Sequence, residues 1–104
     1  MKYRPHKEQG DVLKIGDVRR CTINSGGEIE SFYAAVMSIS LDSVSVKRLY
    51  KEDLGTSRYL IRDVKPTGLE YAMFVDTRIM NLPKKTIGHK IGRISKIEMK
   101  IVRG

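Results

Sequence analysis

The sequence predicts a mainly β protein: a small β-barrel followed by a short C-terminal helix. Three observations carry that expectation. Short apolar stretches follow one another closely, punctuated by glycine and proline, as the strands of a small barrel or sandwich do. The one helix start with a mechanism behind it lies at the far end of the chain, at Ser95-Lys-Ile-Glu98. The 104 residues contain no internal repeat, low-complexity segment or linker, so a single domain over 1–104 is expected.

Taken in order, residues 1–9 are polar, carry Pro5 and read as a flexible lead-in. Asp11 to Ile15 alternates well enough for a first strand, with Gly16-Asp17 as a turn or bulge, and Val18 to Asn24 supplies a second. Asn24-Ser-Gly-Gly27 is the clearest turn signal, because two glycines supply positive φ at little cost. Ser31 to Ser40 is apolar at consecutive positions and bounded by polar residues, the pattern of a central strand covered on both faces. Val44 and Val46 alternate with Ser45 and Lys47, and Tyr59 to Val64 follows a Gly55-Thr-Ser turn, so two more strands are expected before Lys65-Pro-Thr-Gly68 closes the run. Tyr71 to Val75 reads as a buried strand, Pro83 to Ile87 as a single helical turn, and His89 to Ile94 as a last short strand. Residues 95–104 then form the short helix, in which the Ser95 and Glu98 side chains each satisfy an orphan amide and Ile97, Ile101 and Val102 supply the apolar side.

The composition narrows the function. With 40% hydrophobic and 31% charged residues the chain can build a core, though not a large one. A formal charge of +8 attracts anionic partners over a screening length of roughly 8 Å at physiological salt, with nucleic acid, RNA or DNA, as the leading candidate, although a membrane surface or an acidic protein partner satisfies the same electrostatics. The single Cys21 forms no internal disulfide and, with only His6 and His89 beside it in the sequence, anchors no zinc site, so a cytoplasmic setting is expected. No stretch approaches the roughly 20 apolar residues of a membrane span, and no secretory signal opens the chain.

Basic residues crowd the last quarter. Arg78, Lys84, Lys85, Lys90, Arg93, Lys96, Lys100 and Arg103 face a single acid, Glu98; gathered on one face they would hold a phosphate backbone, and otherwise they are a solvated surface. Arg78, Lys84, Lys85, Lys90 and Arg93 are the candidate RNA contacts. Tyr33, Tyr50, Tyr59 and Tyr71 can stack on unpaired bases or serve as packing residues. The Arg19-Arg20 pair follows a strand and turn, and a guanidinium fork suits a phosphate. His6 and His89 titrate near neutrality, but their separation in sequence carries no geometry for an acid–base pair.

Several short motifs, in the right order, resemble the MazF/PemK family of toxin endoribonucleases. Gln9-Gly10-Asp11-Val12 resembles the family's opening strand, Arg19-Arg20 the basic pair before a proline whose place Cys21 holds, and Ala35-Val36-Met37-Ser38 the strand that ends in a catalytic threonine or serine. Thr67-Gly68-Leu69, Leu82-Pro83-Lys84-Lys85 and Lys90-Ile91-Gly92-Arg93-Ile94-Ser95 resemble the closing segment. The resemblance implies a Src-homology-3-like small barrel, usually a homodimer, that cuts single-stranded RNA without metal or cofactor and is held in check by an acidic antitoxin. It implies attack by the substrate's own 2′-hydroxyl, with Arg20, or Arg19 one residue earlier, stabilising the phosphorane charge, and Ser38, with Ser40 as the fallback, as the hydroxyl partner. The short glycine-rich segment after the arginine pair and the curtailed terminal helix depart from the family pattern, so a non-catalytic barrel that binds nucleic acid or a protein partner is the alternative.

Overall fold

A computed structural model describes residues 12–53 and 58–104; the lead-in over 1–9, the Gly10-Asp11 dipeptide, His6 and the turn expected at Gly55-Thr-Ser lie outside the described residues. The chain is mainly β, with about 49% of it in strands, arranged as one curled antiparallel sheet that forms half a barrel, and it ends in one short helix. The strands are β1 (Asp17–Ser25), β2 (Glu28–Ile39), β3 (Ser43–Tyr50), β4 (Tyr59–Leu60), β5 (Phe74–Val75), β6 (Met80–Pro83) and β7 (Ile87–Arg93), and the helix α1 is Lys96–Val102.

β1, β2 and β3 form a meander, and β7 returns to the free edge of β1. The β1–β2 hairpin is set by its turn: Ser25 pairs with Glu28, and Gly26 and Gly27 between them take φ of 61° and 91°, the double positive φ of a type I′ turn. The Asn24 side chain accepts from the Gly27 amide at 3.2 Å. On its other edge β3 pairs with β6 and then, further along, with β5, so residues 74–83 run beside it as one interrupted edge.

The unbroken apolar run in β2 has the reason expected of it. Ala35 and Met37 pack into one core with Val18, Leu49, Ile61, Val75, Ile94, Met99 and Val102, with Tyr33 against it; Phe32, Ala34 and Val36 pack into a second, on the opposite face, with Cys21, Val44, Val46 and Leu82. A strand between two cores has no polar face to show.

β7 does not pair with β4 or β5 to complete a barrel. Its other side receives the 3-10 turn Lys65–Thr67 instead. A Cβ on Gly92 would lie 2.3 Å from the Thr67 backbone, and one on Gly68 would lie 2.1 Å from the Ile91 carbonyl oxygen. Both glycines are therefore where two backbones touch. The Thr67 hydroxyl donates to the Val64 carbonyl and accepts from the Leu69 amide, which holds the turn's shape.

Several elements differ from expectation. Val12 to Lys14 carry no strand and Ile15-Gly16 is a turn, because Asp17 accepts from the Lys14 amide and closes the chain on itself before β1. Tyr59 to Val64 and Tyr71 to Val75 shrink to two-residue strands, and Tyr71 is exposed. Pro83 to Ile87 holds a 3-10 turn at Lys84–Thr86, and His89 to Ile94 lies within β7 apart from its last residue.

The helix starts as its sequence requires, the Ser95 hydroxyl accepting from the Glu98 amide at 3.3 Å. Glu98 does not answer it. Its carboxylate turns inward and accepts from the Tyr59 hydroxyl at 2.9 Å, the Arg62 amide at 2.7 Å and the Asp63 amide at 3.2 Å. That turn of α1 puts Glu98, Met99 and Val102 against the sheet and leaves Ile97 and Ile101 exposed, the reverse of the expected apolar side for both isoleucines. Lys47 donates to the Val102 carbonyl at 2.6 Å and covers the helix C-terminus.

Candidate nucleic-acid interface

The two arginines of the pair diverge, because neighbouring residues of a strand face opposite sides of the sheet. Arg19 is 3% exposed; its Nε and Nη2 donate to Asp17 Oδ2 at 3.2 and 3.0 Å, and its Nη1 donates to the Gly88 carbonyl at 3.0 Å. Asp17 is fully buried, so this guanidinium neutralises an interior carboxylate, with Lys90 Nζ 3.8 Å from its other oxygen. Arg20 is exposed, paired in the ladder with Tyr33 and 6.0 Å from the centre of its ring.

Beside Arg20 the sheet splits. Ala34–Arg48 is the end of the β2–β3 ladder; beyond it Leu49 and Tyr50 pair with β5 while β2 stays with β1. A cleft of about 270 Å³ opens between the parting strands, lined by Arg20, Ser31, Phe32, Tyr33, Arg48, Leu49, Tyr50, Lys51 and Met73. Rings in the cleft and beside it carry cations. The Arg48 guanidinium lies 4.4 Å from the Phe32 ring and 5.0 Å from the Tyr50 ring, Arg58 lies 3.6 Å from Tyr50, and the Lys51 ammonium lies 5.7 Å from Tyr71. Arg48 is paired with Glu30 at 2.7 Å. Among the described residues no acid stands within ion-pair distance of Arg20, Lys51 or Arg58.

Arg78 stands near this group, its amide and Nη2 donating to the Asp76 carboxylate at 3.2 and 3.3 Å. Burial alone would raise Asp76, but these hydrogen bonds and the charges of Arg78 and Arg58 hold its carboxyl below the ordinary range. At Lys51, hydrogen bonding and charge interaction with Tyr71 raise the ammonium's pKa and keep it charged.

The other expected contacts are scattered. Lys84 and Lys85 sit on the 3-10 turn after β6, Lys85 beside Ile23, Asn24 and Ile29 of the hairpin. Lys90 is half-buried near Asp17, and Arg93 stands with Lys96, Lys100 and Arg103 around a hollow at the helix, floored by Ile15, Ile94 and Met99. The basic run is thus divided among several surfaces and not gathered on one. Ser38 is exposed on β2 opposite Ser45, five residues beyond Tyr33, which at about 3.3 Å per residue is roughly 16 Å along the strand from Arg20's partner. Ser40 is engaged in the turn to Ser43, the two hydroxyls 2.9 Å apart. The serine that shares the cleft with Arg20 is Ser31, its hydroxyl 3.1 Å from that of Thr22. His89 is exposed on β7.

Arg48 and Lys51 of the cleft, and Arg58 stacked on its Tyr50, are residues that reading the sequence left aside. The alternation Arg48-Leu-Tyr50 after Val44 and Val46 was the available signal for Arg48, since it sets a cation and a ring on one face of a strand. No helix among the described residues is long and apolar enough to cross a membrane. No protein-family model and no curated protein matches the chain.

Proposed function

We propose that this protein binds single-stranded RNA in the cytoplasm, along the cleft between β2 and β3. The observation that carries the reading is the interleaving of cations and rings in the cleft and at its border: Arg48 against Phe32 and Tyr50, Arg58 on Tyr50, and Arg20 and Lys51 beside Tyr33 and Tyr71. Cations hold the phosphates, and rings take bases that have no complementary strand to stack within. A duplex would offer the phosphates alone.

The test is fluorescence anisotropy of a short labelled uridine strand titrated with the protein over a range of salt. Three to five phosphate contacts give a slope of log affinity against log salt of roughly −2 to −3.5 for a single strand. Replacing Lys51 and Arg58 by alanine should flatten that slope, and duplex DNA should compete weakly. Equal affinity for duplex and single strand, or a slope that the double variant leaves unchanged, counts against the cleft.

The second reading is the metal-independent cleavage implied by the resemblance to the MazF/PemK toxins, with a homodimer and an acidic antitoxin as its corollaries. The observation in its favour is a hydroxyl in the same cleft as Arg20, although it belongs to Ser31 and not Ser38. Incubating long RNA in chelator with wild type and the Arg20→Ala, Ser31→Ala and Ser38→Ala variants decides it. Cutting with cyclic-phosphate ends, lost in Arg20→Ala, supports the enzyme; intact RNA leaves the binding module.

A further inference from the structure

We infer that the hollow adjoining the cleft is a base-recognition pocket that selects an unpaired guanine; the inference rests on the single-strand reading above and names what the strand would carry. The hollow, about 260 Å³, is lined by Tyr33, Glu70, Tyr71, Met73, Ile91 and the Gly68–Leu69 backbone, and shares Tyr33 and Met73 with the cleft. It is smaller than the roughly 300–1,000 Å³ of sites that take a drug-sized ligand, so it suits one planar ring system.

Its wall is pre-formed. Gly68 takes φ of 76° and lies so close to β7 that a Cβ would meet the Ile91 carbonyl at 2.1 Å, and the Thr67 hydroxyl bridges Val64 to the Leu69 amide. Little ordering is left for a ligand to bring about. Met73 and Ile91 give an apolar floor, and the phenols of half-buried Tyr33 and exposed Tyr71 supply flat faces, each with a cation beside it, Arg20 and Lys51.

Glu70 decides which base. An exposed carboxylate in a hollow that adjoins a cationic cleft repels phosphate, so it has no use as a backbone contact. It accepts hydrogen bonds and donates none. Guanine alone presents two adjacent donors on its pairing edge, the N1 imino and N2 amino hydrogens, which the two oxygens of one carboxylate can accept together. Adenine and cytosine each set one amino donor beside an acceptor, and uracil sets one imino donor between two carbonyls.

The experiment compares a short uridine strand with the same strand bearing guanosine, adenosine or cytidine at its centre, by anisotropy, against wild type, Glu70→Gln, Tyr71→Ala and Tyr71→Phe. The expected result is about tenfold tighter binding of the guanosine strand by wild type, the size of one good bidentate pair. Glu70→Gln should remove that preference, so that all four strands bind alike, Tyr71→Ala should weaken it, and Tyr71→Phe should keep it. Salt-sensitive binding with equal affinity for all four strands overturns the pocket and leaves the cleft intact. A guanine preference that survives Glu70→Gln overturns the role of the carboxylate. Absence of binding to any strand overturns both readings.

Discussion

Adjacent arginines on β1 should behave as residues of different kinds, and replacing each by alanine separates structure from function. Arg19→Ala strips the fully buried Asp17 carboxylate of two hydrogen bonds, at 3.2 and 3.0 Å, and the Gly88 carbonyl of a third. Breaking a buried ion pair from one side costs about 3–5 kcal/mol, because the remaining charge stays in the interior uncompensated. Lys90, 3.8 Å from the other Asp17 oxygen, keeps the loss near the lower end, about 3 kcal/mol. For a domain of this size that is a melting-temperature drop of more than about 10 °C. Arg20→Ala removes an exposed side chain, so stability should stay within about 0.5 kcal/mol while the salt slope of RNA binding flattens by about 0.7. Urea denaturation followed by circular dichroism reads the first effect and salt-titrated anisotropy the second. The double replacement Asp17→Leu with Arg19→Met should recover much of the loss, since an apolar pair of similar volume needs no compensation. An Arg19→Ala protein as stable as wild type, with its RNA binding gone, would refute the assignment.

Three further outcomes follow from the packing. Gly92→Ala should cost the ~1–3 kcal/mol of an overpacked site or more and lower the melting temperature accordingly, because its Cβ would lie 2.3 Å from the Thr67 backbone and force the 65–67 turn off β7; an unshifted melt contradicts that seating. Met99→Ala should cost about 2–5 kcal/mol in urea denaturation, whereas Ile97→Lys, at a position 75% exposed, should stay within about 0.5 kcal/mol, and equal effects would mean that α1 is turned differently. Burial pushes the Cys21 thiol up to about 11, against the nearby Arg19 charge, so the folded state favours the neutral thiol. That contribution is complete below the ordinary thiol range near 9 and is lost as pH rises towards 11. Between about pH 8 and about pH 10.5 wild type should therefore lose up to ~2 kcal/mol more stability than Cys21→Ala, and parallel pH profiles would argue against a buried thiol.

Local chemistry was legible from the chain alone. Asn24-Ser-Gly-Gly27 specified its hairpin because positive φ is a property of the glycines themselves, and Ser95 specified the start of α1 because its hydroxyl reaches an amide three residues away. The unbroken apolar run over 31–40 announced a strand with a core on each face, and β2 has both. Each of these depends on residues within a few positions of one another.

What tertiary structure decided were the partners and the sides. Strand alternation alone sends Arg19 and Arg20 opposite ways, but only the buried Asp17 and the Gly88 carbonyl determine which arginine is interior. Glu98 looks like a surface acid and the second half of a capping box; amides at Arg62 and Asp63 and the Tyr59 hydroxyl, more than thirty residues away, drew its carboxylate inward and turned Ile97 and Ile101 outward. The basic run from Arg78 to Arg103 is continuous in sequence, yet a 3-10 turn, a strand and a helix distribute it over separate surfaces. The cleft exists because the β2–β3 ladder stops at Arg48 while the end of β3 stays paired with β5 on its other edge. Long-range pairing of that kind leaves no local signature, so the meeting of Arg20, Tyr33, Arg48 and Tyr50 belongs to the fold and not to any stretch of the chain.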